Sequence, residues 1–187
     1  GAVRALTGFV DILFVGNLSY LPNVLGLLDF VRHGLPRIRA LMDHAVTLRI
    51  AGGSPAPEVT ALAGQVGIEL VADPPDLARH YRWADIAVVP VHAGGGTRIK
   101  LIEACAHGVP VVSTTLGAEG IPVLDGVHLR LADTHAAFAA ACAELLADTG
   151  LARRLARQAR ALVRANHARP LGLERIRSVI GPLPLAS

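Results

Sequence analysis

Short apolar runs alternate along the chain with longer stretches in which apolar residues recur at helical spacing. Apolar runs bounded by turn residues are typical of strands buried on both faces, and the longer stretches are typical of amphipathic helices. The predicted strands cover residues 11–16, 46–51, 68–72, 85–91, 109–113 and, more weakly, 128–131. The predicted helices cover residues 22–42 with a break near residues 34–36, 57–65, 76–83, 97–107, 134–147, 151–165 and 173–180.

This alternation predicts an α/β fold in which six parallel strands form a doubly wound, Rossmann-like sheet. Ligands bind such sheets at the carboxyl ends of the strands, where the strand order reverses. The loops that follow the first five strands are therefore the places where a binding site is expected. Residues 1–169 are predicted to form this α/β domain, and residues 170–187 are predicted to form a C-terminal helix and tail.

Composition narrows the class of protein. The chain is 52% hydrophobic and 18% charged, which excludes a disordered chain, and its net charge of +3 fits an anionic ligand. Basic residues are not interleaved with aromatic ones, so nucleic-acid binding is not expected. Cys105 and Cys142 lack partners at metal-binding spacing and are expected to be small buried residues in a reducing compartment, with no metal site.

The sequence contains neither an apolar run of membrane-spanning length nor a visible signal peptide, so a cytoplasmic location is expected. The chain opens with Gly rather than Met, which suggests a fragment of a longer protein.

The loop after the fourth strand contains the clearest candidate for chemistry. Gly94, Gly95 and Gly96 remove side chains so that a ligand can approach the backbone closely. Thr97 is a candidate helix cap, and the amides of the first helical turn bind phosphate well. Arg98 adds a full positive charge at the same place. The loop therefore predicts a site for a phosphate-bearing ligand.

The helix that follows this loop is predicted to place Lys100, Glu103 and His107 on one face. On pattern alone, a surface pair with Lys100 is favoured for Glu103 over a ligand contact. The residues predicted to face the sheet are Ile99, Ile102 and Ala106.

The run GGGTRIKLIEACAHGVPVVSTTLGAEGI, residues 94–121, resembles the carboxyl-terminal, donor-binding domain of retaining GT-B glycosyltransferases of the group 1 type. Residues 12–31 and 71–91 resemble the same domain in the same order, so the resemblance extends over residues 11–166.

The resemblance implies the C-terminal half of a GT-B fold, with residues 1–169 binding a UDP- or GDP-linked sugar as the donor substrate. It implies retaining transfer to an acceptor held by a missing N-terminal domain, without a cofactor or a required metal. It is also typical of bacterial polysaccharide or glycoconjugate biosynthesis.

The resemblance assigns Glu103 as the carboxylate that accepts hydrogen bonds from the ribose hydroxyls of the nucleotide. A second glutamate of the family falls at Gly95, which is a departure. The Arg and Lys that many members use to neutralise the diphosphate fall at Asn17 and Asn23, and Arg98 and Lys100 are candidates to replace their charge. The residues predicted as catalytic are Arg98 and Glu103. Those predicted to bind the donor are Gly16, Asn17, Gly94, Gly95, Gly96, Thr97, Arg98, Lys100 and Glu103.

Three other loops are expected to border the same crevice. Gly52 and Gly53 end the second strand, where a turn favours glycine whether or not a ligand binds. Residues 72–75, with Leu77, occupy the place where the resemblance implies that the base is held. The hydroxyls of residues 113–115 are expected to face the sugar or the diphosphate.

Other interpretations stay open at this point. The departures at Gly95, Asn17 and Asn23 favour a non-catalytic binding or interaction domain with a decayed site, and a sugar-nucleotide epimerase of similar architecture is a further alternative. An oxidoreductase is disfavoured because the first strand runs into Gly16 without a G-x-G-x-x-G turn. The arginine-rich stretch at residues 151–165 is expected to be an ordinary amphipathic helix, and peripheral membrane contact is its alternative.

One prediction follows from the sequence alone. Arg98→Ala should weaken donor binding at least tenfold, about 1.4 kcal/mol, because it removes a full charge beside the phosphates. Titration calorimetry measures the dissociation constant, and an unchanged value would rule out this role for Arg98.

Overall fold

Six strands pair into one parallel sheet, as the alternation predicts. The structure, a computed structural model, describes residues 8–94 and 99–167. The strands are β1 (Phe9–Val15), β2 (Ala45–Gly52), β3 (Ile68–Ala72), β4 (Ile86–Val89), β5 (Val111–Ser113) and β6 (Arg130–Leu131). They lie in the order β3-β2-β1-β4-β5-β6, and each neighbouring pair is parallel. The doubly wound, Rossmann-like sheet is confirmed.

Helices connect the strands and cover both faces of the sheet. They are α1 (Leu21–Asp29), a π-helical stretch (Phe30–Gly34), α2 (Leu35–Leu41), α3 (Pro57–Thr60), a 3₁₀ turn (Ala61–Gly64), α4 (Ala78–Trp83), α5 (Ile99–His107), a 3₁₀ turn (Leu116–Ala118), α6 (His135–Ala147) and α7 (Thr149–His167). Within the described ranges, every helix is too short or too polar to cross a membrane. The predicted helix at 173–180 and the tail at 170–187 lie outside the described residues.

Two of the predicted helices differ in detail from the structure. The expected break near residues 34–36 is instead a π-helical stretch, in which the Leu35 amide donates to the Phe30 carbonyl five residues earlier. This wider turn precedes Pro36, which has no amide proton to contribute. The predicted helix at 57–65 is only the single turn α3 followed by a 3₁₀ turn.

The sheet separates two hydrophobic cores. In β1, Ile12 and Phe14 face the core formed with α1, α2 and α6, whereas Leu13 and Val15 face the core formed with α4, α5 and α7. Each of these four side chains is at most 6% exposed, so residues 12–15 of the strand have no solvent-facing side. This double burial explains why β1 reads as a continuous apolar run rather than as an alternating one.

Strand order reverses at β1, which lies between β2 and β4. Helix α1 leaves the carboxyl end of β1 and packs closely against the end of β4, where Gly26 meets the Pro90 carbonyl. A Cβ added to Gly26 would lie only 2.1 Å from that carbonyl oxygen. The absence of a side chain therefore sets how near α1 comes to the β4 end of the crevice.

We expect Gly26→Ala to destabilise the protein even though alanine is the better helix former. The overpacked contact should cost about 1–3 kcal/mol, against a helix-propensity gain of about 1 kcal/mol. Urea unfolding measures the difference. Gly64→Ala is the matched control, because a Cβ there meets no atom within 4 Å. Equal stability of the two variants would contradict this account of the packing.

Candidate functional site

A cavity of about 690 Å³ opens at the carboxyl edge of the sheet, between the loops that follow β1 and β4. Five of the predicted site residues line it together: Gly16, Asn17, Gly94, Lys100 and Glu103. This is the point at which strand order reverses, where a doubly wound sheet forms its ligand crevice. The other predicted site residues, Gly95, Gly96, Thr97 and Arg98, lie outside the described residues.

Glu103 combines burial with a place on the cavity wall. It is 7% exposed, and its Oε2 accepts a hydrogen bond from the hydroxyl of Tyr81 at 3.0 Å. Burial raises the pKa of the Glu103 carboxyl, and the hydrogen bond from Tyr81 partly opposes that rise. An ordinary surface ion pair with Lys100, the alternative open from the sequence, does not fit a carboxylate buried to this extent.

The prediction for the sheet-facing side of α5 was wrong in part. Leu101, Ala104 and Cys105 are each at most 1% exposed and belong to the core that contains Leu13 and Val15. Of the residues predicted for that side, Ala106 is buried in the same core, Ile102 packs against it while partly buried, and Ile99 lines the cavity. The helix is apolar around most of its circumference, so its periodicity does not indicate one face.

Lys100 extends from α5 to the loop that follows β1. Its Nζ donates a hydrogen bond to Oδ1 of Asn23 and lies 5.4 Å from the centre of the Phe14 ring. A Cβ added to Gly16 would be 3.5 Å from the same Nζ. Asn23, 7% exposed, also donates from Nδ2 to the Asn17 carbonyl at 2.9 Å. The amine is thus held beside a turn whose own residues carry no positive charge.

Asn17 organises the turn between β1 and α1. Its Oδ1 accepts from the Ser19 amide at 2.9 Å, the Ser19 hydroxyl at 2.8 Å and the Tyr20 amide at 3.2 Å. Asparagine favours such turns because its short side chain mimics a backbone carbonyl. The side-chain oxygen is therefore committed to the turn.

The loops after β2 and β3 form the opposite wall. Ser54 and Asp73 have φ angles of +53° and +47°, and Oδ1 of Asp73 accepts from the Ser54 amide at 3.0 Å. Gly52 packs so closely against the turn after β1 that an added Cβ would lie 1.8 Å from the Gly16 carbonyl oxygen. Leu77 lines the cavity beside them. The glycine that ends β2 is thus needed for this close packing.

The hydroxyl groups of residues 113–115 were expected to face the crevice, but each is hydrogen-bonded within the protein. Oγ of Ser113 donates to the Thr114 carbonyl at 2.8 Å, and Oγ1 of Thr114 accepts from the Gly117 amide at 2.9 Å. Oγ1 of Thr115 donates to Asp133 at 2.7 Å. Ser113 and Thr114 are at most 1% exposed. This prediction was wrong because the hydroxyls stabilise the turn after β5.

The contact of Tyr81 with Glu103 is a feature of the site that the sequence did not predict. Tyr81 lies on α4, 22 positions before Glu103, and the helical pattern assigned it no role. No local spacing rule connects two residues on different helices, so only the packing of α4 beside α5 shows the contact.

Metal binding has no support from the described part of the chain. Across residues 8–94 and 99–167, no group of three or more His, Cys, Asp or Glu side chains is placed to hold a metal ion.

These features define a doubly wound α/β domain with a cavity at its switch point, and comparisons with known proteins place it in a family. The sequence profile described as Glycosyl transferases group 1 matches residues 10–148. This chain belongs to that family.

A D-inositol 3-phosphate glycosyltransferase from Xylanimonas cellulosilytica is 36% identical to this chain over 163 residues, which cover 82% of this chain and 38% of the relative. The chain therefore spans about two fifths of the length of this relative.

Solved structures share the fold. The C-terminal domain of a glycosyl transferase group 1 family protein (LpcC) from Francisella tularensis has a TM-score of 0.67 at 18% identity, covering 84% of this chain and 86% of that domain. Alr3699/HepE from Anabaena, solved in complex with UDP and glucose, has a TM-score of 0.64 at 17% identity, covering 96% of this chain and 49% of that protein. The fold thus matches the C-terminal domains of GT-B glycosyltransferases.

We expect Glu103→Gln to stabilise the protein near pH 7. Because burial raises the pKa of Glu103, the folded state binds more protons than the unfolded chain between the ordinary glutamate pKa and the raised one. Stability is therefore lost as pH rises through this window, and glutamine removes that loss while still accepting from Tyr81.

Urea unfolding at pH 7 and near pH 4 tests this, with a larger gain expected at pH 7. Glu69→Gln is the control, since Glu69 is exposed and pairs with Arg49 at 2.7 Å, so no gain is expected. A Glu103→Gln variant that loses stability at pH 7 would contradict the burial cost.

Proposed function

We propose that this chain is the donor-binding domain of a glycosyltransferase that uses a UDP- or GDP-linked sugar. The observation that carries the proposal is the nearly buried carboxylate of Glu103 on the wall of the switch-point cavity. A carboxylate accepts hydrogen bonds only, and two neighbouring ribose hydroxyls donate two. Glu103 therefore suits the role that the family resemblance implies for it.

The diphosphate would lie between the loops after β1 and β4. The sequence predicts that the amides between Gly94 and Arg98 would supply hydrogen-bond donors, and that the amino end of α5 would supply a partial positive charge. Lys100 supports this placement because its amine is held over the turn at Gly16. We propose that it provides, from α5, the charge that Asn17 and Asn23 lack.

Catalysis would depend on stabilising the departing diphosphate, because negative charge develops there as the glycosidic bond breaks. Arg98 and Lys100 are the proposed stabilisers, with no metal required. Retention at the anomeric carbon and an acceptor held by a separate amino-terminal domain follow from the family resemblance. We expect this chain alone to bind donor weakly and to transfer little or no sugar.

We propose a cytoplasmic location, at or near the inner face of the membrane, with biosynthesis of a bacterial polysaccharide or glycoconjugate as the process. Cys105 and Cys142 are free and buried, as suits a reducing compartment, and burial raises the pKa of Cys105 to about 12. The exposed arginines of α7 are proposed to form a solvated face, which leaves any membrane contact peripheral.

A second candidate function is nucleotide-sugar binding without catalysis. The observation that favours it is Gly95, which stands where the family places the glutamate that contacts the sugar ring. Sugar transfer by the full-length protein separates the two candidates, because both bind the nucleotide but only one turns it over.

Calorimetric titration with UDP and GDP tests the proposal. We expect one of them to bind, and Glu103→Gln and Lys100→Met each to weaken that binding at least tenfold, about 1.4 kcal/mol. Arg153→Met is the matched control, since Arg153 is exposed on α7 and does not line the cavity. Binding of neither nucleotide, or variants that bind as the wild type does, would overturn the proposal.

A further inference from the structure

A buried hydrogen bond joins α4 to the carboxylate on the cavity wall. Tyr81 is 2% exposed, and its hydroxyl donates to Oε2 of Glu103 at 3.0 Å. The Tyr81 ring stacks on the imidazole of His107, with ring centres 4.9 Å apart and planes 10° from parallel. Tyr81 itself is not among the residues that line the cavity.

We propose that Tyr81 is a positioning residue, which orients the Glu103 carboxylate for the two ribose hydroxyls of the nucleotide. This inference rests on the proposed function of Glu103. Tyr81 would act through Glu103 and would not touch the ligand.

The geometry supports this role because a glutamate side chain has three rotatable bonds. A lone carboxylate on the cavity wall can turn among several rotamers, and ordering it on binding has an entropic cost. The Tyr81 hydroxyl engages Oε2 before any ligand arrives. One hydroxyl proton occupies one of about four acceptor positions on a carboxylate, so room remains for both ribose hydroxyls.

The pKa shift of Tyr81 and the effect of the hydrogen bond on the pKa of Glu103 both favour donation by the tyrosine hydroxyl to the carboxylate. Burial raises the pKa of Tyr81 well above its ordinary value, and the nearby Glu103 carboxylate raises it further. The phenol therefore stays protonated and able to donate at physiological pH. The hydrogen bond in turn lowers the pKa of Glu103 against the effect of burial, which favours the ionised acceptor.

The stacked imidazole fixes the ring of Tyr81 without adding charge. Burial lowers the pKa of His107, with Arg82 as the second cause, so the imidazole is neutral near pH 7. The other ionisable groups that act on Tyr81, Glu103 and His107 are Asp76 before α4, Cys105 on α5 and Arg160 on α7.

A purely structural role for Tyr81, as a tie between α4 and α5, is the alternative to exclude. A tie would affect the binding of every nucleotide equally. A positioning role affects only nucleotides that have ribose hydroxyls for Glu103 to accept from. Comparing nucleotides with and without ribose hydroxyls therefore distinguishes the two roles.

The experiment is a thermodynamic cycle on the full 187-residue chain. Affinities of wild type, Tyr81→Phe and Glu103→Gln are measured by calorimetry or NMR titration. The ligands are UDP or GDP, whichever binds, and its 2′,3′-dideoxy analogue. Thr60→Val controls for loss of a hydroxyl away from the cavity, because Thr60 is exposed and does not line it, and we expect this variant to keep the wild-type ratio of the two affinities.

We expect Tyr81→Phe to weaken binding of the ordinary nucleotide about threefold to tenfold, the range for one hydrogen bond. Its affinity for the dideoxy analogue should stay near that of the wild type. The pH above which the nucleotide binds well should rise in Tyr81→Phe, because the hydrogen bond that lowers the pKa of Glu103 is lost.

Equal weakening of both ligands, or no weakening of either, in Tyr81→Phe would overturn the inference. If Glu103→Gln abolishes the preference for the ribose hydroxyls while Tyr81→Phe retains it, only the positioning role fails. If Glu103→Gln itself retains the preference, the proposed function of Glu103 fails. Tyr81→Met, which also lacks a hydroxyl, takes the place of Tyr81→Phe if that variant does not fold.

Discussion

Glu103 presents a nearly buried carboxylate to a cavity, and a single hydrogen bond from Tyr81 offsets part of the free energy lost by burying it. An apolar side chain at this position would extend the core of α5 without that loss. A group that is unfavourable for folding but held at a ligand crevice is characteristic of a functional site. The roles proposed for the cavity, for the Lys100 amine and for the turn after β1 all depend on the role proposed for this carboxylate.

The shape of the crevice depends on close backbone contacts. Gly52 lets the end of β2 touch the turn after β1, and Gly26 lets α1 approach the end of β4. Between these contacts, Lys100 from α5 is joined through Asn23 to the turn after β1. Elements from both sides of the sheet thus meet at the point where strand order reverses, and a diphosphate there would contact loops that are already connected.

The turn after β1 and the start of α1 lack the cations that the family resemblance implies there. Asn17 in the turn after β1 and Asn23 in the first turn of α1 stand where cations are expected, and the side-chain oxygen of Asn17 is bonded within that turn. The amine of Lys100 lies next to the same turn but originates on α5. The positions at which cations are expected and the proposed substitute for them are thus close in space although they are far apart in sequence.

The sequence allowed the sheet to be predicted well because strands buried on both faces leave a strong apolar signal, as in β1. The sequence also allowed Gly16, Gly94, Lys100 and Glu103 to be predicted as neighbours, since the carboxyl ends of parallel strands meet at one edge of the sheet. It could not orient α5, where Leu101 and Cys105 rather than Ile99 enter the core. The bond from Tyr81 and the internal pairing of Ser113 and Thr114 depend on tertiary packing, which no local pattern encodes.

A crystal structure of the chain with bound UDP or GDP is the most direct measurement of the central claim. We expect the ribose hydroxyl oxygens to lie within about 3 Å of the Glu103 carboxylate, the ordinary distance for a hydroxyl donating to an oxygen. A nucleotide bound in this cavity with its ribose turned away from Glu103, or bound elsewhere on the domain, would contradict it.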